Sequence, residues 1–515
     1  MPEPLRAVEP ESVIVGWDFS TGAVKCVAFD LNGATVAEVR LPTDLWTENG
    51  VSELNLMQLE GQARASVRAL ADILRDKQML QHWVAGGISA THHTAGRIDA
   101  HHNQVRRAIC WNDESLAKYH KIGLARLGGQ QRVIERIGGP WAIRYSLSHL
   151  VKDEAELPRA EWERTVRILP HGSLAAGYLT GQFETISISS AASTGIMDPR
   201  TNQWCQAMLD ALESSLYRKL AAQQLPRIIQ DMNEPLGPLA DHVAVESGID
   251  HTRRPMIFPT SDDQAAGLVG GGAVDDGQLA IILGNSAVVN SSARQLPQSG
   301  SLDAMKLNWG PYLWMRCYNN GAQFLDFVVG KSPDYEKLEA AARRVPPGCN
   351  GIDVLPFVKS EPSRGIASEC FRWLPSEPTE PGVRFRAALE ALAYLIALGV
   401  REHVNAGQQI KRITVSGGIA RSALMGEILA SVLDRPLERL VSSEGPALGA
   451  AVTALAAAEQ YGRRQRGISA PFTVADAVNV LVKFREPARP NPDWRSAYVE
   501  GLRRFEAHLS HVSAG

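Results

Sequence analysis

Two segments far apart in the chain share one design. GWDFSTGAVKCVAFD (Gly16 to Asp30) and AIILGNSAVVNSS (Ala280 to Ser292) each read as an apolar strand, a tight polar turn and a second strand. The tips are Ser20-Thr21-Gly22 and Gly284-Asn285-Ser286. Small residues let backbone N–H groups approach an oxyanion closely, and hydroxyls add donors. Two such turns, one from each half, are what a nucleotide clamp built by duplication needs. Just before the second comes SDDQAAGLVGGG (Ser261 to Gly272), where carboxylates precede a small-residue helix. Together these features point to phosphoryl transfer.

Composition excludes several alternatives. At 515 residues the chain suits ~2–4 domains. Its 44% hydrophobic and 21% charged content is that of a globular protein. A net charge of −3 offers no basic field for nucleic acid or an anionic membrane. Six scattered cysteines with no CxxC pair argue against a zinc site or a disulfide scaffold and suit a reducing, cytoplasmic setting. The N-terminus lacks the basic start and apolar run of a signal peptide. The longest near-apolar stretches, Ala387 to Val400 and Ala447 to Ala458, fall short of the ~18 residues of a membrane span and read as buried helices.

The pattern predicts strands over Val13–Trp17, Val24–Phe29, Thr35–Leu41, Val84–Ile88 and Val105–Cys110, with a helix carrying Leu59, Ala63, Val67, Leu70 and Leu74 on one face. A second half restarts near Pro255, with strands over Gln278–Leu283, Ile413–Ser416 and Leu437–Val441 and a helix from Ser422. The Pro- and Gly-rich segment Pro346 to Pro381 reads as irregular surface. The expected domains are 11–254, 255–487 and a docking C-terminal helix within 488–515, which carries Trp494, Tyr498, Leu502, Phe505 and Leu509 on one face.

Several residues carry candidate chemistry. Asp18 ends the first strand, where a carboxylate either holds Mg²⁺, directly or through water, or caps the turn. Lys25 follows inside the next strand. Asp262 and Asp263 serve either as a helix N-cap or as a general base toward a hydroxyl. The glycines at 267, 270, 271 and 272 suit close helix packing better than phosphate binding. Gly417-Gly418 and Ser422 join a strand to a helix, where backbone N–H groups suit a phosphate or a purine face, although a plain turn reads equally well. His92-His93 reads better as sugar-binding or core histidines than as metal ligands.

These pieces occur in the order of a known family. The chain resembles the FGGY carbohydrate kinases from roughly Val13 to Ala458, and the xylulokinase branch most of all. The matching stretches include GWDFSTG, GISATHH with RRAICWND, AASTGIMDPRTNQW, SDDQAAG, LGNS, LPFVKSEPSR, GGIARSALMGEILASVLDRP and EGPALGAA. The resemblance implies two actin-like (ribonuclease-H-like) α/β domains flanking a cleft. It implies Asp263 as catalytic base. For ATP and Mg²⁺ it implies Asp18, Ser20, Thr21, Gly22, Lys25, Gly284, Asn285, Ser286, Gly417, Gly418, Ser422 and Glu427. The sugar falls to His92, His93, Trp111, Asp113 and Gln264. The implied reaction carries the γ-phosphoryl of ATP to a ketopentose, D-xylulose first and D-ribulose or another polyol second. A homodimer is compatible with such a chain. Ser20 replaces the family's usual Gly and Asn285 its usual Thr, which keeps open a sugar-sensing, ATP-binding protein of impaired turnover.

Overall fold

A computed structural model describes residues 3–513 apart from 299–300, 331 and 443. The β-branched run Val13-Ile14-Val15 is fully buried, as expected of a central strand covered on both faces. It opens β1 (Val13–Phe19), which pairs antiparallel with β2 (Ala23–Asp30); β3 (Thr35–Pro42) pairs antiparallel with β2. Helix α1 (Leu56–Asp76) buries the expected Leu59, Ala63, Val67, Leu70 and Leu74, and Asn55 caps its N-terminus. It leads to β4 (Trp83–Ala90), which lies parallel to β1. Short strands β5 (Gly237–Pro238), β6 (Met256–Ile257) and β7 (Ser261–Asp262) complete the first sheet, in the order β5-β6-β4-β1-β2-β3 with β7 also on β4.

The second half repeats this plan. Hairpin β8 (Gln278–Leu283) and β9 (Ala287–Ala293) pairs antiparallel; β10 (Asp303–Lys306) and β11 (Tyr312–Tyr318) extend it on the β9 side. On the other side of β8 lies parallel β12 (Arg412–Ser416), followed by β13 (Leu437–Leu440) and antiparallel β14 (Phe484–Ala488). A hairpin, a third antiparallel strand and a parallel crossover strand therefore occur twice. The duplicated turns sit at equivalent places in two doubly covered α/β sheets, the two-domain actin-like arrangement.

Three expectations need correction. The break at Pro255 falls too early, because β6 and β7 hydrogen-bond to β4 of the first sheet. The segment from Pro346 to Pro381 is not wholly irregular: Asp353–Phe357 pairs antiparallel with Cys370–Leu374, and Val354, Leu355 and Phe357 are buried in the second core. The strand Val105–Cys110 forms as Gln104–Ile109, but within a separate five-stranded sheet inserted into the first half. The C-terminal helix, Arg495–Ser513, docks where expected on the second core through Tyr498, Phe505 and Leu509.

The halves are joined by two helices, α2 (Asp263–Gly270) and α6 (Gly445–Gln465). Between them in sequence lie α3 (Tyr335–Ala342), α4 (Pro381–Asn405) and α5 (Ala423–Leu433). Helix α6 lies in sequence between β13 and β14 of the second sheet yet packs on the first. A Cβ on Gly449 would stand 1.8 Å from the Ala266 carbonyl oxygen, and one on Gly270 would stand 1.9 Å from that of Gly445. Facing the first sheet, Gly16 and Gly87 would meet the carbonyls of Ala447 and Ala450 at 1.8 and 2.1 Å. No side chain fits at these crossings, since real Cβ atoms never approach so closely. Gly449→Val should therefore destabilise the protein by about 4 kcal/mol or more in chemical denaturation. Gly61→Ala, on open surface of α1, should stabilise it by about 0.5–1 kcal/mol. Equal effects at the two sites would refute the packing argument.

Candidate active site

Two cavities meet at the second polar turn. The smaller, of about 360 Å³, is lined by Ser20, Thr21, His92, His93, Trp111, Asp263, Gln264 and Ser286, among others. The larger, of about 950 Å³, is lined by Gly284, Asn285, Gly418 and Ser422 with apolar residues such as Ile419, Phe385 and Leu389. Gly284 and Asn285 face one cavity while Ser286, the next residue, faces the other. A molecule in each would approach the other at this turn.

Asp262 and Asp263 stand in different surroundings. Asp262 is the N-cap of α2, accepting from the Gln264 and Ala265 N–H groups at 3.0 and 2.9 Å. Its other oxygen accepts from Ser189 Oγ at 2.6 Å. Asp263 Oδ1 is buried with no hydrogen-bond partner. Burial, with the neighbouring charges of Asp262 and Asp18, pushes the Asp263 carboxyl well above the usual carboxylate range. Asp18, at the carboxyl end of β1, accepts from Ser89 Oγ at 3.1 Å. Burial pushes it up to about 6, outweighing the Lys25 ammonium.

The histidines form a stack. His92 and His93 ring centroids are 3.5 Å apart, and His93 and Tyr145 are 4.3 Å apart. His93 Nδ1 lies 2.7 Å from the Ser193 carbonyl oxygen, so it donates there and leaves Nε2 with its lone pair. Burial holds both imidazoles below their ordinary pKa. Nε2 of each histidine and Oδ1 of Asp263 are buried without partners. Polar atoms orphaned this way carry a desolvation cost that a polyhydroxylated ligand would relieve. His92, Asp262 and Asp263 also bring ligand atoms within 4.8 Å of one another.

Other expected residues are committed elsewhere. Ser20 Oγ donates to the Ala23 carbonyl at 2.7 Å, so its hydroxyl proton closes the turn. Gly22 is exposed and outside both linings. Lys25 forms an ion pair with Glu444 at the start of α6, tying β2 to the joining helix. Asp113 is buried against Lys152 at 3.2 Å and the Ser115 N–H at 2.9 Å, and lines neither cavity. Glu427 holds Arg343 at 3.0 Å, and it too lies outside the lining of the larger cavity. Ser422 caps α5 and donates to Glu339 at 2.7 Å. Gly417 faces a third, smaller cavity.

The sequence reading missed an ion pair in the smaller cavity between Arg144, of the first half, and Asp303, on β10 of the second. It also missed Glu361, a buried carboxylate that accepts from the Asn319 N–H at 2.7 Å and Asn320 Nδ2 at 3.1 Å and lines the same cavity.

Comparison with known proteins agrees with this geometry. Residues 13–270 match the N-terminal domain of the FGGY family of carbohydrate kinases, and residues 365–458 match its C-terminal domain. The chain is 28% identical over 471 residues to a xylulose kinase from Escherichia coli (strain K12), covering 86% of this chain and 90% of that one. Two solved structures from Lactobacillus acidophilus, a ligand-bound xylulose kinase and a gluconate kinase, each superpose with a TM-score of 0.84 at 18% identity. Each comparison covers 98% of this chain and 99% of the other. The chain thus belongs to the FGGY family of carbohydrate kinases, a phosphotransferase family.

Proposed function

We propose that this carbohydrate kinase transfers the γ-phosphoryl group of ATP to the terminal C5 hydroxyl of D-xylulose, with D-ribulose the second-ranked substrate. The observation that carries the reading is the single turn shared by two cavities, one polar and one largely apolar. The polar cavity suits a sugar and the apolar one, with Glu339 in its lining, an adenosine. The similarity to xylulose kinases supports a ketopentose as substrate. Gluconate, named for one structural neighbour, is the natural competitor in a substrate panel.

Asp263 takes the proton of the attacking hydroxyl. Its raised pKa makes it a stronger base than an ordinary carboxylate, and its partnerless oxygen leaves room for the hydroxyl. His93, neutral and donating through Nδ1 to the backbone, accepts a sugar hydroxyl at Nε2. Only half of the imidazole is therefore available to the sugar, which fixes the sense of that hydrogen bond. The backbone N–H groups of the two turns stabilise charge on the phosphoryl oxygens. The oxygen donors of Asp18 and Asp263 fit Mg²⁺, a hard cation. When bound, that ion neutralises charge on the phosphates.

Asp263→Asn should lower kcat by ~10²–10⁴ while leaving ATP affinity nearly unchanged. Asp262→Asn should be much milder, because Asn still caps the helix. It also removes one negative charge beside Asp263. The Asp263 carboxylate then forms more easily, and the acid limb of the kcat/KM profile should move to lower pH. A larger loss in Asp262→Asn than in Asp263→Asn, or a limb moving to higher pH, contradicts the assignment. His93→Ala should raise the KM for the sugar more than that for ATP. A wild-type kcat/KM higher for ribulose, gluconate or glycerol than for xylulose would reject the substrate while leaving the kinase assignment intact. ATP binding without turnover of any sugar would instead favour the sensor.

A further inference from the structure

Behind the Gly417-Gly418 loop lies a third cavity, of about 140 Å³, lined by Ser416, Gly417, Arg421, Arg439, Ser442 and Arg485. Neither Arg439 nor Arg485 lines either of the two cavities described above. Arg439 on β13 and Arg485 on β14 are directly opposed in the strand register. Like charges placed directly across an antiparallel pair repel. Among the described residues neither guanidinium has a carboxylate in ion-pair range. Arg485 donates to the Val441 carbonyl at 3.1 Å, and Arg439 Nε is buried without a partner. The two serines, Gly417 and Arg421 share the wall with the apolar Val415, Ala420, Leu440 and Val441, and among the described residues no carboxylate lines it.

We propose that this cavity is an anion site, taking inorganic phosphate or the phosphoryl group of a small phosphomonoester. The volume admits one such group and little more. Paired guanidinium forks match the geometry of phosphate oxygens and would turn the Arg439–Arg485 repulsion into shared attraction. The site is coupled to the larger cavity. Arg439 Nη2 also donates to the carbonyls of Ala420 and Arg421 at 3.3 and 3.2 Å. Those residues belong to the short turn Ile419–Arg421, which follows Gly418 and borders the larger cavity. An anion that draws Arg439 toward itself changes the support of that turn. Reading the effect as one on ATP rests on the proposed function; the binding itself does not.

Calorimetric titration of the full chain with inorganic phosphate, and separately with a pentose 5-phosphate, tests the site. The exposed Arg485 gives a variant expected to fold, R485Q, with R485K as its charge-conserving partner. The wild type should bind one anion at this site, R485Q should lose at least tenfold in affinity, and R485K should fall between. Phosphate should alter the KM for ATP, but not for the sugar, in the wild type alone. No binding of either probe, or equal binding in the wild type and R485Q, overturns the site. Binding with no change in the ATP KM overturns the coupling. Binding of the pentose phosphate alone identifies a phosphomonoester as the occupant.

Discussion

The contact between α2 and α6 governs the rest of the molecule. At Gly449 and Gly270 the two helix backbones touch without intervening side chains, and at Gly16 and Gly87 the same α6 lies directly on the first sheet. This contact lets a helix inserted between two strands of the second sheet become part of the first half's packing. It also fixes the direction of α2, whose first residue is Asp263. The carboxylate thus stands at the end of a helix braced by backbone rather than by a mobile side chain. Lys25 and Glu444 add a charged tie between β2 and the same α6. A domain closure that preserved this crossing would carry the second turn toward the smaller cavity without moving Asp263 relative to the first sheet.

The electrostatics around Asp263 are unfavourable in isolation. Asp18, Asp262 and Asp263 repel one another, and burial removes much of their hydration. Two neutral imidazoles add lone pairs to the same region. Capping of α2 and the Ser189 hydroxyl satisfy Asp262, and Ser89 partly satisfies Asp18. Asp263 receives no comparable support at Oδ1. The strain is concentrated at one atom, where a hydroxyl proton or a cation would relieve it.

Much of this was legible in the sequence, for definite reasons. The central strands of both sheets announced themselves as short apolar runs closed by polar turns, and α1 by its helical spacing, whereas β10, β11 and β14 were not anticipated. The two turns were visible because close approach to an oxyanion requires small residues. Residue type and position alone could locate Asp262 and Asp263 but not rank them, since an N-cap and a base are both Asp before a helix; only the family resemblance set Asp263 apart. The Arg144–Asp303 pair was not legible: it joins residues far apart in the chain, and neither lies in a motif. The hairpin containing Asp353–Phe357 was hidden by the prolines and glycines around it, although burial of Val354, Leu355 and Phe357 in the second core overrides their turn preference. Ser20, Lys25 and Asp113 illustrate a further limit. A residue type fit for ligand binding is equally fit for closing a turn or neutralising a neighbour, and only the fold decides which.

The most direct measurement is a crystal structure with D-xylulose and a nonhydrolysable ATP analogue. The account predicts that the backbone contact at Gly449 and Gly270 is unchanged between the free and ternary states. It predicts Asp263 within ~3 Å of the sugar's terminal hydroxyl, His93 Nε2 on a second hydroxyl, and the analogue's terminal phosphate at the turn from Gly284 to Ser286. A ternary structure in which the hydroxyl faces Asp262 instead, or in which the α2–α6 crossing slides apart on closure, would contradict it.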